Sequence, residues 1–112
     1  MPRSQKRQMN NPVFSLLSLA ARGRNLVSGE FSVEKAIKEH KASIVILATD
    51  ASDNTKKKFT DSCAFYNVRV YIFGTKDELG HAIGCMERAS IAVIDKGLAD
   101  SIAAKIELLS ET

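Results

Sequence analysis

A glycine turn in the first third of the chain has the residue types and spacing that suit binding of an anion. Gly29 follows the short apolar stretch 25–27, and the residues after it have the spacing of a helix. A glycine turn that opens a helix presents free backbone N–H groups and the positive end of the helix dipole. Because Lys35 lies about one turn further on, the turn suits an anion-reading tip. A surface helix capped by Ser28 or Ser32 is the simpler alternative.

Residues that would serve an enzyme do not form a recognisable site. His40 and His81 have no Cys or Ser nucleophile at a motif-like spacing, and Cys63 has the helical spacing of a core residue. Three carboxylates form a conceivable metal site: Asp50, Asp53 and Asp61. They fall around a predicted helix start, where Asp is an ordinary cap. Phosphate-binding glycine loops are also absent from the sequence. We therefore expect a binding protein without a cofactor or a metal, and not an enzyme.

The basic charge of the chain is concentrated near its start. Sixteen Lys and Arg residues oppose thirteen Asp and Glu residues, which gives a net charge of +3. Residues 1–24 contain five of the basic residues and no acid, whereas residues 25–112 have eleven basic and thirteen acidic residues. Local basic charge suits a polyanion that contacts one face. The run Lys56–Lys58 is either a phosphate-contacting run or a solvated helix face, and taken alone it is interpreted as solvated.

Hydrophobic periodicity and capping signals predict the elements that must position these residues. Asn11 followed by Pro12 predicts the start of a first helix, and Thr75 with Glu78 predicts a capping box at a later one. The apolar run 43–48 lacks polar alternation, which is typical of a strand covered on both faces. Strands alternate with helices throughout, so we predict an α/β fold. The expected architecture is a three-layer α/β/α sandwich with a small, about four-stranded, mostly parallel (mixed) sheet.

The chain has the length and composition of one domain. Its 112 residues are 45% hydrophobic, enough for one continuous core. Residues 1–10 are polar and basic, so we expect a flexible arm there and a single domain over 11–112. The two cysteines fit neither a disulfide framework nor a zinc site, and no apolar run is long enough to span a bilayer. We expect a cytoplasmic monomer with no membrane partner.

Two longer segments resemble a known family. The first is the run 47–66 with the following Asn67-Val68, and the second is Thr75 to Gly84, Thr-Lys-Asp-Glu-Leu-Gly-His-Ala-Ile-Gly. Together they resemble bacterial ribosomal-like proteins of the L-seven-Ae/L-thirty-e superfamily, a kink-turn RNA-binding ribosomal protein family, and particularly its YlxQ-like branch. The second segment looks like that family's Lys-x-Glu-Leu-Gly-x-Ala-x-Gly motif. The resemblance covers roughly residues 12–105, nearly the whole chain.

The resemblance implies an α/β/α sandwich that binds kink-turn RNA, an internal bend flanked by tandem sheared G·A pairs. The implied RNA-binding residues lie on two elements, the glycine turn with its helix start and a later loop. They are Gly29, Glu30, Phe31, Ser32 and Lys35 in the first, and Cys85, Met86, Glu87, Arg88 and Ala89 in the second. The expected partner is structured RNA and not DNA, with the ribosome as an open second partner.

The chain departs from the family at the helix start. Archaeal and eukaryotic members carry an Asn-Glu pair where this chain has Phe31 and Ser32. Base reading would then rest more on backbone N–H groups, Ser32 and Lys35. In the loop, we expect Met86 and Ala89 to shield an unstacked base and Arg88 to meet phosphate. The departure also keeps an alternative open, a protein-interaction module of the same fold with weak or no RNA affinity.

Overall fold

The protein is described by a computed structural model in which residues 11–110 form five α-helices and four β-strands. In chain order they are α1 (Pro12–Arg22), β1 (Leu26–Ser28), α2 (Glu30–Lys38), β2 (Ile44–Leu47), α3 (Asp53–Tyr66), β3 (Arg69–Ile72), α4 (Lys76–Ala82), β4 (Ser90–Val93) and α5 (Lys96–Ser110). The basic arm predicted over residues 1–10 lies outside the described residues, as do residues 111–112.

Local capping chemistry sets the helix starts that the sequence predicts. The Asn11 side chain accepts a hydrogen bond from the Val13 N–H at 2.8 Å, and Pro12 is the first residue of α1. At α4 both halves of the capping box form, because Thr75 Oγ1 accepts from the Glu78 N–H at 3.1 Å and Glu78 Oε1 accepts from the Thr75 N–H at 3.0 Å. These bonds satisfy backbone donors that a helix start otherwise leaves open.

The strand β2 has no polar alternation in its sequence because both of its faces are buried. All four of its residues are buried. Ile44 and Ile46 pack in one core cluster with residues from α1, α4 and α5, whereas Val45 and Leu47 pack in a second cluster with residues from α2 and α3. Since successive side chains of a strand point to opposite faces, the sheet is covered on both sides. The predicted three-layer α/β/α sandwich is confirmed.

The sheet is four-stranded and mixed, as predicted, but it is not mostly parallel. Its strand order is β1-β4-β2-β3, and β2 pairs in parallel with β3. The strand β4 lies between β1 and β2 and runs antiparallel to both. The alternation of strands and helices predicted parallel neighbours, and this was wrong at β4. The seven residues of α4 span only about 10 Å. The chain therefore does not return to the opposite ends of the strands, and after residues 83–89 β4 begins at the end of the sheet where β3 stops.

This reversal gathers the candidate residues at one edge of the sheet. In the register of the strands, Leu47 at the end of β2 pairs with Ser90 at the start of β4. Ser28 at the end of β1 pairs with Ile91, the next residue of β4. The turn that leads into α2 and the loop that leads into β4 therefore meet at the same end of the domain.

Candidate functional site

The start of α2 is an uncapped helix end, here called the tip and comprising residues 29–35. Gly29 is the N-cap with φ +93°, a conformation that L side chains rarely adopt, and no side chain within residues 11–110 caps it. The Gly29 N–H donates to the Ser90 carbonyl at 3.1 Å, so the turn is anchored to β4. The helix is therefore fixed in place while its first N–H groups remain open to an anion. The alternative of a helix capped by Ser28 or Ser32 does not hold.

The loop of residues 85–89 is held against α4 by a very close backbone approach. A Cβ built on Gly80 would lie 2.0 Å from the Met86 carbonyl oxygen and 2.8 Å from Glu87 Cα. The Cys85 N–H donates to the Gly80 carbonyl at 2.8 Å, which brings the loop into contact at this point. Any side chain at position 80 would occupy the space of the loop backbone. Glycine at this helical position is thus required to place the loop.

Arg88 joins the loop to Ser28, the last residue of β1, which directly precedes the tip. Its backbone N–H donates to the Lys76 carbonyl at 3.0 Å, and its Nε donates to Ser28 Oγ at 3.0 Å. Its Nη1 donates to the Glu87 carbonyl at 3.0 Å. The guanidinium that we expected to meet phosphate therefore also ties together two segments that lie sixty residues apart in the chain. The tip and the loop form one continuous surface.

Two large apolar side chains stand out from this surface. Phe31 is 79% exposed on the tip, and Met86 is 83% exposed on the loop. Large apolar side chains with this exposure mark contact surfaces when they lie together. Ala89, which we expected beside Met86, is half-buried and packs against the core, while its carbonyl accepts from the Ala48 N–H at 2.9 Å. Ala89 anchors the loop and exposes little surface to a partner.

The two acidic residues of the tip, Glu30 and Glu34, are paired within the protein. Lys58 Nζ lies 2.6 Å from Glu30 Oε2 and 3.1 Å from Glu34 Oε1. The hydrogen bonds that Lys58 donates to Glu30 and then to Glu34 raise the pKa of Lys58, and the hydrogen bonds that Glu34 accepts from Lys58 and then from Lys38 lower the pKa of Glu34. All of these groups are solvated, so their mutual stabilisation is small. Their effect on the site is electrostatic, since Lys58 offsets the negative charge that Glu30 would otherwise present to an anion.

Lys35 differs from the lysine run on α3. It is exposed, lies beside Phe31 along a surface groove, and makes no ion pair with any residue of the 11–110 range. By contrast, Lys56 Nζ donates to the Thr49 carbonyl at 2.7 Å, and Lys57 lies 3.1 Å from Asp61. The run interpreted as a solvated face is thus engaged with its own domain, and Lys35 is the cation of the tip that is open to a ligand.

The residues weighed as enzyme or metal candidates remain apart. Asp50 Oδ1 accepts from the Lys76 N–H at 2.8 Å, and Asp61 pairs with Lys57. Across the described part of the chain, no group of three or more His, Cys, Asp or Glu side chains could hold a metal ion. Cys63 is buried, and burial raises its pKa to about 11, as fits a core residue. Over the same residues, no helix is long and apolar enough to cross a membrane.

Three positions that shape the site were not identified from the sequence: Ser28, Lys58 and Gly80. Ser28 and Lys58 act through partners far away in the chain, and no local pattern reveals such pairs. Gly80 did carry a signal, because an isolated glycine inside a helical pattern often has a packing reason. The structure gives that reason as the backbone of the loop.

The fold and the site together define a small one-sheet α/β/α domain that presents a helix tip and a loop as one joint surface. A sequence model of the Ribosomal protein L7Ae/L30e/S12e/Gadd45 family matches residues 12–103, and the chain belongs to this family. A protein of Bacillus subtilis (strain 168) named RNA-binding protein YlxQ is 44% identical over 89 residues, covering 80% of this chain and 89% of that protein. A protein of the same name from Enterococcus faecium is 36% identical over 93 residues, 83% of this chain and 89% of its own. The bacterial YlxQ branch expected from the sequence is confirmed.

Solved structures show the same fold. A Bacillus halodurans protein described as having unknown function superposes with a TM-score of 0.85 at 43% identity, over 87% of this chain and 98% of its own. The Giardia lamblia 15.5kD RNA binding protein superposes with a TM-score of 0.73 at 20% identity, over 88% of this chain and 84% of its own. At 20% identity, the similarity to the Giardia lamblia protein shows the fold alone.

Proposed function

We propose that this protein is an RNA-binding protein that recognises kink-turn or similarly bent RNA through the tip and the loop. The observation that carries the proposal is the hydrogen bond between Arg88 and Ser28, which joins an uncapped helix start to a loop with an exposed Met86. The names of the two relatives, RNA-binding protein YlxQ, support RNA as the partner class. The protein acts in this proposal as a binder and not as an enzyme, in the cytoplasm.

The shape of the joint surface suits a bend better than a straight duplex. A regular A-form helix has a deep, narrow major groove that side chains cannot read. A sharp kink opens that groove locally, so the tip can enter with its N–H groups towards phosphate and Lys35 towards the O6 and N7 of a guanine. Phe31 and Met86 then cover bases that the bend has unstacked, since bases removed from the helix stack on aromatic and apolar side chains.

The proposed ligand differs from what the family's Asn-Glu pair would read. Phe31 has no hydrogen-bonding group, so its contact with RNA is stacking and carries little base identity. Ser32 is half-exposed at the next position and supplies one hydroxyl. Selectivity therefore depends on the shape of the RNA and on Lys35. Association with the ribosome follows in this proposal if a ribosomal RNA supplies the bend.

Straightening the RNA at constant charge tests the proposal. Phosphate contacts alone would bind straight and bent duplexes alike, because they carry no sequence information. Replacing the sheared G·A pairs by Watson–Crick pairs should weaken binding by at least ~100-fold, about 2.7 kcal/mol. Isothermal titration at fixed ionic strength and fixed Mg²⁺ concentration measures the difference. Equal affinity for the two RNAs would reduce the protein to a general basic binder.

A protein-interaction module of the same fold is the second candidate, and Phe31 favours it. Phe31 lines two surface grooves along α2, which have volumes of about 260 and 340 Å³. The second groove is also lined by Val27 and Ile94. An exposed aromatic side chain beside an apolar groove is a common anchor for a protein partner. Failure of the protein to bind either the bent or the straight RNA in the titration would favour this candidate.

A further inference from the structure

A cleft between α1 and α4 is not used by the tip and the loop. Its volume is about 330 Å³. The residues that line it come from the two helices and are Phe14, Ser15, Ser18, Arg22, His81 and Ala82. The cleft belongs to the helical layer opposite the one that contains α2.

The chemistry of the lining suits a phosphate group. The cleft has two hydroxyls, one guanidinium and one imidazole, and none of its lining residues is acidic. Arg22 makes no ion pair with any residue between 11 and 110, and the hydrogen bond that its Nη1 donates to Ser18 Oγ is long, at 3.4 Å. A guanidinium has five N–H donors in a planar fork that matches phosphate oxygens. Most of those donors are therefore available to a ligand.

The position of the cleft connects it to the proposed RNA surface. His81 directly follows Gly80, the residue on which the backbone of Met86 rests. On its other side the loop is tied to the tip by the bond between Arg88 and Ser28. The His81 side of the cleft therefore adjoins the helix turn that supports the loop, while Arg22 lies further along α1. An RNA stem that leaves the loop along α4 and α1 would pass over the cleft.

We propose that the cleft binds a backbone phosphate of the RNA held by the tip and the loop, an inference that rests on the proposed function. Arg22 is the main ligand, Ser15 and Ser18 donate their hydroxyls, and His81 donates a ring N–H. Such a contact fixes the orientation of the RNA on the domain and reads no base. It extends the footprint from the bend to an adjoining stem.

A charge-matched pair of variants tests the cleft. Arg22→Gln removes the guanidinium from an exposed position at the end of α1, and Lys105→Gln removes one charge from an exposed position of α5 outside the cleft. With a kink-turn RNA, Arg22→Gln should weaken binding about threefold to fivefold and reduce the slope of log affinity against log salt by about one. Lys105→Gln should change neither. Circular dichroism verifies that both variants fold.

The outcomes separate this inference from the proposed function. If the unmodified protein binds kink-turn RNA and the two variants behave alike, the cleft inference is wrong and the tip and loop proposal stands. If the unmodified protein does not bind the RNA, the proposed function itself fails. Titration with inorganic phosphate, monitored by the amide NMR signals of Ser15, Ser18 and His81, tests whether the cleft binds free phosphate instead of a phosphate of the RNA. A response to free phosphate with no effect of Arg22→Gln on RNA binding would overturn the assignment to RNA.

Discussion

Replacing Gly80 by alanine should disturb the loop directly, because the structure leaves no room for a side chain there. The added Cβ would lie 2.0 Å from the Met86 carbonyl oxygen, whereas real Cβ contacts essentially never fall under 3.0 Å. The loop backbone must therefore move by at least about 1 Å. The next nearest atoms are the Met86 carbonyl carbon and Glu87 Cα, which belong to the backbone and cannot rotate away as a flexible side chain would.

The cost of this movement can be worked from the bonds that fix the loop. The hydrogen bonds from the Cys85 N–H to the Gly80 carbonyl and from the Arg88 N–H to the Lys76 carbonyl are the ones strained. Each is worth about 1 kcal/mol. Alanine in place of glycine gains up to about 1 kcal/mol in a helix. We expect Gly80→Ala to lower the free energy of unfolding by about 1–2 kcal/mol after this compensation.

Gly97 offers a matched control for the same substitution. It lies in the first turn of α5, has no positive φ, and a Cβ there would meet only the Asp95 carboxylate at 3.3 Å. Gly97→Ala should leave the free energy of unfolding unchanged within about 0.5 kcal/mol or raise it. Urea denaturation followed by circular dichroism measures both variants.

Titration with kink-turn RNA then tests whether the loop belongs to the interface. Since Met86 moves with the loop, Gly80→Ala should weaken RNA binding at least about tenfold, the scale of one lost base-stacking contact. Gly97→Ala should bind as the unmodified protein does. Unchanged stability of Gly80→Ala would contradict the packing argument. Lost stability with unchanged affinity would show instead that the loop lies outside the RNA interface.

Two further substitutions and a chemical reaction test other parts of the reasoning. Lys35→Ala should weaken binding to kink-turn RNA by about 1–3 kcal/mol, the scale of one base-edge contact. Lys57→Ala should reduce the binding free energy much less, because Lys57 is already paired with Asp61. Isothermal titration of both variants measures the two affinities. Equal losses of affinity would indicate a diffuse basic face instead of a specific contact at Lys35. Iodoacetamide at pH 8 should alkylate the exposed Cys85 and spare Cys63, because burial raises the Cys63 pKa from 9.0 to about 11 and reduces its reactive thiolate about 100-fold. Mass spectrometry of the folded protein would contradict this if both thiols reacted at similar rates.

The raised pKa of Cys63 also gives stability a pH dependence of known sign. The folded protein holds the thiol proton more tightly than the unfolded chain does. Its contribution to the free energy of unfolding is therefore complete below the ordinary thiol pKa of 9.0 and is lost as pH rises towards about 11. This window lies above neutrality, so the thiol does not limit stability under the conditions of the RNA titrations.

Most of the fold was predictable because its signals are local. Asn11 and Thr75 cap helix starts through hydrogen bonds to residues two or three positions away. Such a cap can be predicted because both partners lie within one short stretch of sequence. The direction of β4 was not predictable in this way. It depends on where the chain turns after α4, and that turn is set by the approach of the loop to Gly80. A periodicity of apolar residues marks a strand but does not report its direction.

The candidate site shows the same division between local and distant signals, and Arg88 illustrates it best. The family resemblance placed Arg88 in an RNA-binding loop, and a phosphate contact was predicted because a free arginine near a polyanion is a phosphate ligand. In the structure its Nε is already bonded to Ser28, and its backbone N–H is bonded to Lys76. A guanidinium has five donors, so these contacts do not exclude phosphate. They do change what a substitution would mean, because Arg88→Ala would both remove a charge and separate the loop from the tip. Lys35, which has no such structural partner among residues 11–110, is therefore the residue at which a loss of RNA affinity can be assigned to a lost contact with the RNA itself.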